Sequence, residues 1–132
     1  MSFAMKIELD IKGDIVERQD LLNGMEGVTL SGSTADGAWA LDGALLWSRG
    51  MGDGGGEGDI TLVRADGSSA YGVVASVTAD GPAEGDGGAI RLRADIDGGS
   101  GGFEATRGRC TAEIRLSTGE FSGRWCLDLD IV

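Results

Sequence analysis

The chain has no histidine, a single proline at Pro82, few aromatic residues and half as many basic as acidic side chains. Without histidine, histidine-based catalytic triads and most catalytic zinc sites are excluded. No apolar run approaches the roughly 18 residues that a membrane-spanning helix requires. The first residues also lack the basic segment and apolar run of a secretory signal, so we expect a cytoplasmic protein with no membrane span.

The charge balance argues against anionic partners. The 132 residues carry 11 basic and 22 acidic side chains, which give a formal net charge of −11 at pH 7. Such a surface repels phosphate backbones and anionic lipids, so we expect neither nucleic acid nor a membrane as a partner. No glycine run is followed by the lysine of a phosphate-binding loop, and we expect no cofactor. The length fits one domain, residues 1–132.

Eight stretches alternate apolar and polar residues with period two, and each ends in a turn rich in glycine or aspartate. This period is typical of β-strands with one buried face and one exposed face. Consecutive hairpins favour an up-and-down arrangement over a sandwich of seven or eight strands. We therefore predict an all-β fold, an eight-stranded antiparallel up-and-down barrel of the calycin-like kind, with room for side chains or one small ligand.

The alternation and the turn residues give the expected positions of the strands. The first strand is expected at Phe3–Lys12, and Asp14–Gly24 loses the alternation. Within it, Leu21 and Leu22 followed by Asn23-Gly24 indicate a short helical turn or a loop over a barrel mouth. Asp66-Gly67 predicts a two-residue turn that pairs Leu62 with Tyr71 and Ile60 with Val73. The remaining strands are expected at Glu26–Ser33, Gly37–Arg49 and Ala89–Asp97, followed by the last hairpin.

The last hairpin decides the state of the two cysteines. A two-residue turn at Thr118-Gly119 pairs Ala112 with Trp125, so that apolar residues meet apolar residues. In this register Cys110 points inward and Cys126 points outward. Two side chains on opposite faces of a sheet cannot form a disulfide, and we predict two free thiols.

Polar residues that share the phase of the apolar face are the candidates for acid and base chemistry. They are Glu26, which precedes Val28, Arg64, which follows Leu62, Tyr71 and Cys110. A carboxylate between apolar walls has a raised pKa and can donate or accept a proton. The alternative is that Glu26 and Arg64 lie in water at strand ends.

The apolar face also carries the residues expected to line a pocket or to fill the core. Five strands have a small residue near their middle, which indicates a hollow unless larger neighbours fill it. These small residues are Gly43, Ala75, Ala94, Ala112 and Gly123. The predicted lining residues are Trp39, Trp47, Phe103, Phe121, Trp125 and Cys110.

The glycine-rich run Gly50–Gly58 contains Asp53 and Glu57 and is followed by Asp59, all of which are oxygen ligands suited to calcium. It does not fit the repeated nonapeptide pattern of calcium-binding β-helices. A flexible solvated connection is the simpler interpretation, and we expect no metal site.

The segment Ile96–Gly108, with its sequence Gly-Gly-Ser-Gly-Gly-Phe, resembles the hallmark turn of allene oxide cyclases and plant dirigent proteins. Its glycines permit a sharp reversal, Phe103 can close the end of a barrel, and Gly108 can start the next strand with a bulge. The chain differs from the plant cyclases in that its first strand has no recognisable glutamate-and-water arrangement, because Glu8 falls on the polar face. Arg107-Gly108 matches the dirigent proteins, but the strand phase directs Arg107 outward.

The resemblance implies a bacterial member of this barrel superfamily, often oligomeric, with an apolar central cavity. Known members guide a reactive intermediate to one product by shape, which requires few reactive groups. The first hypothesis is a barrel that binds an apolar metabolite and isomerises or cyclises it without a metal. The second is a non-catalytic carrier, and the third is an interaction module with a filled core that acts through its acidic outer face.

Overall fold

A computed structural model describes residues 3–20, 24–48, 56–80 and 88–131 of the chain. The described residues form eight strands and one short 3-10 turn. The turn is Gly101–Phe103, between β6 and β7. The strands are β1 (Phe3–Asp20), β2 (Met25–Thr34), β3 (Trp39–Ser48), β4 (Gly56–Arg64), β5 (Ser69–Asp80), β6 (Gly88–Ser100), β7 (Arg107–Leu116) and β8 (Glu120–Ile131).

The strands form a closed antiparallel barrel in chain order, as the alternation predicted. The last strand pairs with the first over Phe3–Asp14, which closes the sheet and leaves no free edge. One end, called here the plugged end, carries the turns at 35–38 and 65–68 and the 3-10 turn. The other, called the far end, carries the β7–β8 turn at 117–119.

The barrel has one continuous apolar core, because the inward residues of all eight strands meet at its centre. In β6, for example, Ile90, Leu92, Ala94 and Ile96 are buried while the residues between them are exposed. Burial of this kind contributes roughly 25 cal/mol for each Å² of apolar surface removed from water. The core therefore accounts for the period-two pattern from which the fold was predicted.

The first strand does not end at Lys12 as expected, because residues 14–20 continue β1; the helical turn considered at Leu21 and Leu22 is not tested. The register with β2 shifts between Ile15 and Glu17, so Val16 is a bulge and its side chain is exposed. A bulge inserts one residue and reverses the facing of those that follow. The alternation was lost for this reason, and Leu21, Leu22 and Asn23 lie outside the described residues.

The predicted pairing between β4 and β5 is wrong by one residue. Leu62 pairs with Ala70, and Thr61 pairs with Tyr71. The turn has three residues, because the Gly67 N–H donates to the Arg64 carbonyl at 2.9 Å and the Arg64 N–H donates to the Ser68 carbonyl at 2.8 Å. Gly67 adopts a φ of 90°, the left-handed conformation that closes such a loop. The extra residue turns Tyr71 and Val73 outward.

The small residues of the predicted hollow are partly different from those expected. Ala75 is exposed, because it has the same outward phase as Tyr71 and Val73, which the three-residue turn sets. Gly72 is buried in its place, and a Cβ added there would lie 2.9 Å from the Ile60 side chain. A Cβ at Gly43 would lie 3.1 Å from the same isoleucine. Ile60 therefore occupies the space beside both glycines.

The register of β7 and β8 is the one predicted from the sequence, with Ala112 opposite Trp125 and Glu113 opposite Arg124. Cys110 is buried and Cys126 is partly exposed, and both thiols are free. Arg107 is exposed, as its phase indicated, and no register shift accompanies Gly108, so the bulge expected there is wrong.

Several expectations fall on residues outside the described ranges. The calcium candidate Asp53, the turn residue Pro82 and the end of the predicted third strand at Arg49 are among them. Glu57 and Asp59 lie on β4 and are exposed. In the part of the chain that the structure describes, no helix is long and apolar enough to cross a membrane.

Candidate functional site

The plugged end is built by the glycine motif that follows β6. Gly98 and Gly101 adopt φ values of 87° and 60°, which a residue with a side chain rarely adopts. The Gly98 N–H donates to the Thr106 carbonyl at 2.7 Å and closes the loop. This reversal carries Phe103 into the barrel, where it is buried. The motif thus forms the plug that its sequence predicted.

Arg64 and Asp66 cover the plug from the β4–β5 turn. The Arg64 guanidinium carbon lies 4.8 Å from the centroid of the Phe103 ring, and Arg64 Nη2 donates to Asp66 Oδ2 at 2.6 Å. This hydrogen bond lowers the pKa of the Asp66 carboxyl and raises that of the Arg64 guanidinium. Arg64, predicted as a catalytic residue, thus contacts the plug and a surface carboxylate. It lies at the end of β4, and the alternative interpretation also placed it at a strand end.

The predicted lining residues all face the interior, at three levels of the barrel. Trp39 and Phe103 lie at the plugged end with their ring centroids 5.8 Å apart. Trp47 and Phe121 lie toward the far end, and Trp125 lies between the two pairs on β8. Because the wall between these levels is aliphatic, the interior that the structure describes is almost wholly apolar.

Among the described residues, two buried polar atoms of the interior lack a hydrogen-bond partner, Trp125 Nε1 and Thr106 Oγ1. Both side chains are fully buried. A buried donor without an acceptor costs about 1–3 kcal/mol, and native proteins generally supply a partner. The indole N–H of Trp125 is therefore the polar group that an interior ligand could satisfy.

Cys110 lies on the inner face of β7, two residues before Ala112. Burial raises the pKa of its thiol to about 12, and the nearby Cys126 adds to the increase. The thiolate is the nucleophilic form of cysteine, and a pKa this high keeps Cys110 protonated at neutral pH. Cys110 therefore behaves as a small apolar residue. It contributes to the shape of the interior and not to its reactivity.

The three residues predicted to be catalytic do not converge. Glu26 lies near the start of β2, at the far end of the barrel. Its side chain is 13% exposed, and its Oε1 lies 3.8 Å from Arg18 Nε. Arg64 lies at the plugged end. Tyr71, expected inside, is on the outer surface and 41% exposed, because the three-residue turn reversed its facing. No acid and base pair is formed among these three residues.

The structure also shows residues that sequence reasoning missed. Arg18 faces Glu26 only because the bulge at Val16 reverses the end of β1. Thr106 was not considered, although it belongs to the glycine motif and its backbone N–H donates to the Phe103 carbonyl at 3.1 Å. The bulge left one signal in the sequence, the loss of alternation after Asp14.

Three grooves described by the structure lie on the outer surface. Two of them cross β6, β7 and β8 and are lined by charged side chains that include Arg91, Glu113 and Arg124. The third crosses β1 to β4 and has a volume of about 430 Å³. Among the described residues, no group of acidic, cysteine or histidine side chains is arranged to hold a metal ion.

Comparisons with protein-family models, with curated proteins and with solved structures find no match to this chain. The geometry of the barrel is therefore the basis for the proposals that follow.

Proposed function

We propose that the protein binds, without converting it, a small apolar molecule that carries one hydrogen-bond acceptor, and that this molecule lies inside the barrel. The observation that carries the proposal is the fully buried Trp125 indole, whose N–H has no partner within the described residues. A carbonyl or ether oxygen on a ligand would accept this hydrogen bond. The apolar wall around it favours a ligand that is otherwise hydrocarbon.

The small residues of β6 and β7 support a ligand position beside Trp125. Ala94 is the register partner of Cys110, and Ala112 is the partner of Trp125. These three small side chains form one continuous patch of the inner wall. On the other side of the barrel, Ile60 packs beside Gly43 and Gly72. The ligand would therefore lie against the β6–β7 wall.

A carrier is favoured over an isomerase or cyclase because the polar candidates are dispersed. Glu26, Arg64 and Tyr71 lie at the far end, at the plugged end and on the outside. An enzyme that transfers protons needs its acid and base within hydrogen-bond reach of one substrate. Cyclisation by shape alone, which the resemblance implies, needs neither, so the experiment below includes analysis of the recovered ligand.

A filled core is the second candidate, and one observation favours it. A Cβ at Gly32 would lie 2.8 Å from the Phe121 ring, and a Cβ at Gly123 would lie 3.2 Å from Ile114. Larger side chains therefore occupy the space at some of the small positions. If this packing extends through the barrel, the protein is an interaction module that acts through its outer surface.

Native mass spectrometry of the purified chain tests whether a small molecule is retained. We expect a bound species that denaturation releases and whose mass identifies an apolar compound with an oxygen atom. Incubation of the released compound with fresh protein then shows whether it is converted. The same spectra give the oligomeric state and so test the homo-oligomer that the resemblance suggests.

Two matched probes test the role of the indole. 2-Acetylnaphthalene and 2-ethylnaphthalene have nearly the same shape, but only the ketone accepts a hydrogen bond. In ¹H–¹⁵N spectra we expect the ketone to shift the Trp125 indole resonance and to bind about fivefold to tenfold more tightly, the value of one neutral hydrogen bond. Trp125→Phe should abolish this preference, whereas Trp47→Phe should retain it.

Absence of a bound species together with no response to either probe would overturn the proposal and favour the filled core. Equal affinity for the two probes in the unaltered chain would overturn the role of Trp125. For the compartment, we propose the cytoplasm, and the two free cysteines support a reducing environment.

A further inference from the structure

The outer surface of the barrel is divided by charge into two unlike halves. Outward residues of β6, β7, β8 and β1 alternate in sign across the strands, as in the row Arg91, Glu113, Arg124 and Asp10. Arg124 Nε lies 3.3 Å from Asp10 Oδ1 in this half. Arg107 Nη1 lies 3.3 Å from Asp97 Oδ1. Acidic charge here is largely neutralised by neighbouring arginines.

The other half has acidic charge without such neutralisation. In residues 24–48 and 56–80 the only basic residue is Arg64, which is paired with Asp66 at the plugged end. Asp42, Glu57 and Asp59 are exposed and form no ion pair within the residues that the structure describes. Glu57 and Asp59 lie two residues apart on the same face of β4, where like charges repel.

Exposed apolar side chains lie beside these carboxylates. Tyr71 and Val73 are 41% and 48% exposed, and both face outward on β5. Val73 is the register partner of Asp59, and Tyr71 is the partner of Thr61. Tyrosine is among the residues that most often contribute large binding energies at protein interfaces. An exposed apolar pair next to unpaired carboxylates is typical of a binding surface.

The groove of about 430 Å³ on β1 to β4 adjoins this apolar pair, because Asp59 lines it. Ala44 and Leu46 form part of its floor, and its carboxylates are Glu17, Glu57 and Asp59. Gln19 Nε2 donates to Glu17 Oε1 at 2.8 Å. This amide is neutral, so the Glu17 carboxylate adds to the negative charge of the groove. None of the described residues that line the groove is basic.

We propose that this surface, called here the Tyr71 face, binds a protein segment that carries an arginine or lysine next to apolar side chains. The cationic side chain would enter the groove and contact Glu57 and Asp59, while the adjacent apolar side chains cover Tyr71 and Val73. Long basic side chains bury an apolar stem and keep a charged tip, which matches a groove with an apolar floor and acidic rim. This inference goes beyond the proposed interior ligand and does not depend on it.

A pair of synthetic peptides tests the proposal on the full chain by ¹H–¹⁵N titration. Acetyl-Tyr-Arg-Leu-Arg-Val-amide has the proposed chemistry, and acetyl-Tyr-Glu-Leu-Glu-Val-amide has the same apolar residues with opposite charge. We expect the basic peptide alone to bind, with the largest shifts at residues 44, 59, 71 and 73. The Trp125 indole resonance should not move, which separates this site from the interior.

Two double variants of equal charge change provide the control. Glu57→Gln/Asp59→Asn removes the unpaired carboxylates of the groove, and Asp128→Asn/Asp130→Asn removes two carboxylates from the neutralised half. We expect the first to weaken the basic peptide at least tenfold and the second to leave its affinity within twofold. Tyr71→Ser should weaken it about threefold or more.

Equal losses in the two double variants would show only general attraction to an acidic protein and would overturn the proposal. Shifts confined to β6–β8 would also overturn it. Failure of the interior probes with a specific response to the basic peptide would leave the Tyr71 face as the functional surface.

Discussion

Arg64 and Phe103 form the contact that closes the plugged end, with the guanidinium carbon 4.8 Å from the ring centroid. The two residues come from different parts of the chain, Arg64 from the end of β4 and Phe103 from the glycine motif after β6. A second contact joins the same segments, since the Gly102 N–H donates to Ser68 Oγ at 3.0 Å. The β4–β5 turn and the glycine motif therefore close the barrel together.

Replacing the plug should destabilise the barrel. Phe103 is buried against Trp39, so Phe103→Ala removes a large apolar contact and leaves a cavity. We expect a loss of about 3–5 kcal/mol in the free energy of unfolding, measured by urea denaturation. Arg64→Met keeps the stem over the ring and should cost under about 1 kcal/mol. A Phe103→Ala protein as stable as the original would show that the plug contributes only shape.

The glycines of the motif should differ sharply in their tolerance of a side chain. A Cβ at Gly99 would clash with the Ser69 carbonyl oxygen, whereas a Cβ at Gly102 would lie 3.3 Å from Arg64 Nη2, the end of a long side chain. Gly99→Ala must displace a strand and should cost about 1–3 kcal/mol or more. Gly102→Ala should change stability by under about 0.5 kcal/mol. Thermal unfolding of the two variants compares them, and similar losses would contradict the close approach at Gly99.

The register of β4 and β5 can be tested by substitution at adjacent residues. Ala70 is fully buried and Tyr71 is exposed. Ala70→Leu overpacks the core and should cost about 1–3 kcal/mol, whereas Tyr71→Ser should change the free energy of unfolding by about 0.5 kcal/mol or less. Urea denaturation measures both. The two-residue turn expected from the sequence requires the opposite order of effects.

The Cys110 thiol should make stability depend on pH in the alkaline range. Burial raises its pKa to about 12, whereas the thiol of an unfolded chain titrates near 8.5. Because the raised pKa belongs to the folded state, the stabilisation is complete below about pH 8.5 and is lost as the pH rises toward about 12. Each unit of pKa difference corresponds to about 1.4 kcal/mol. The free energy of unfolding of Cys110→Ala should therefore fall less steeply over this range.

Cys126→Ala provides the control for this pH dependence, because its thiol is partly exposed on the outer face. We expect this variant to keep most of the alkaline slope of the unaltered chain, because burial is the larger cause of the raised pKa of Cys110 and Cys126 the smaller one. Reaction with an aromatic disulfide reagent at pH 8 should modify Cys126 readily and Cys110 only when the chain unfolds. Equal rates for both thiols would mean that Cys110 is not shielded by the barrel.

The fold could be predicted from the sequence where the local pattern allows only one strand register. Residues 110–129 show this best, because a two-residue turn and an unbroken alternation leave one register for β7 and β8. The same reasoning failed at Tyr71, because Asp66-Gly67 fits both a two-residue turn and the three-residue turn observed. A glycine at the left-handed position is common to both turns, so only the pairing of the strands separates them.

The candidate site was less accessible to prediction. Inward orientation of Trp125 and Cys110 followed from their phase in the strands and is observed. The pairing of Arg18 with Glu26 depends on the bulge at Val16, and the exposure of Ala75 depends on the length of the turn before β5. A bulge is a response to the neighbouring strand and leaves little trace in composition.

The sequence by itself determined the all-β class, the closed barrel, the inward aromatic residues and the glycine plug, because alternation and glycine conformation act over a few residues. Only the tertiary structure decided that Tyr71 faces outward, that the Trp125 indole has no partner among the described residues, and that the acidic charge of these residues divides into a neutralised half and an unpaired half. These properties depend on which strands are neighbours and on their register. Residues far apart in the chain set both, so no local pattern records them.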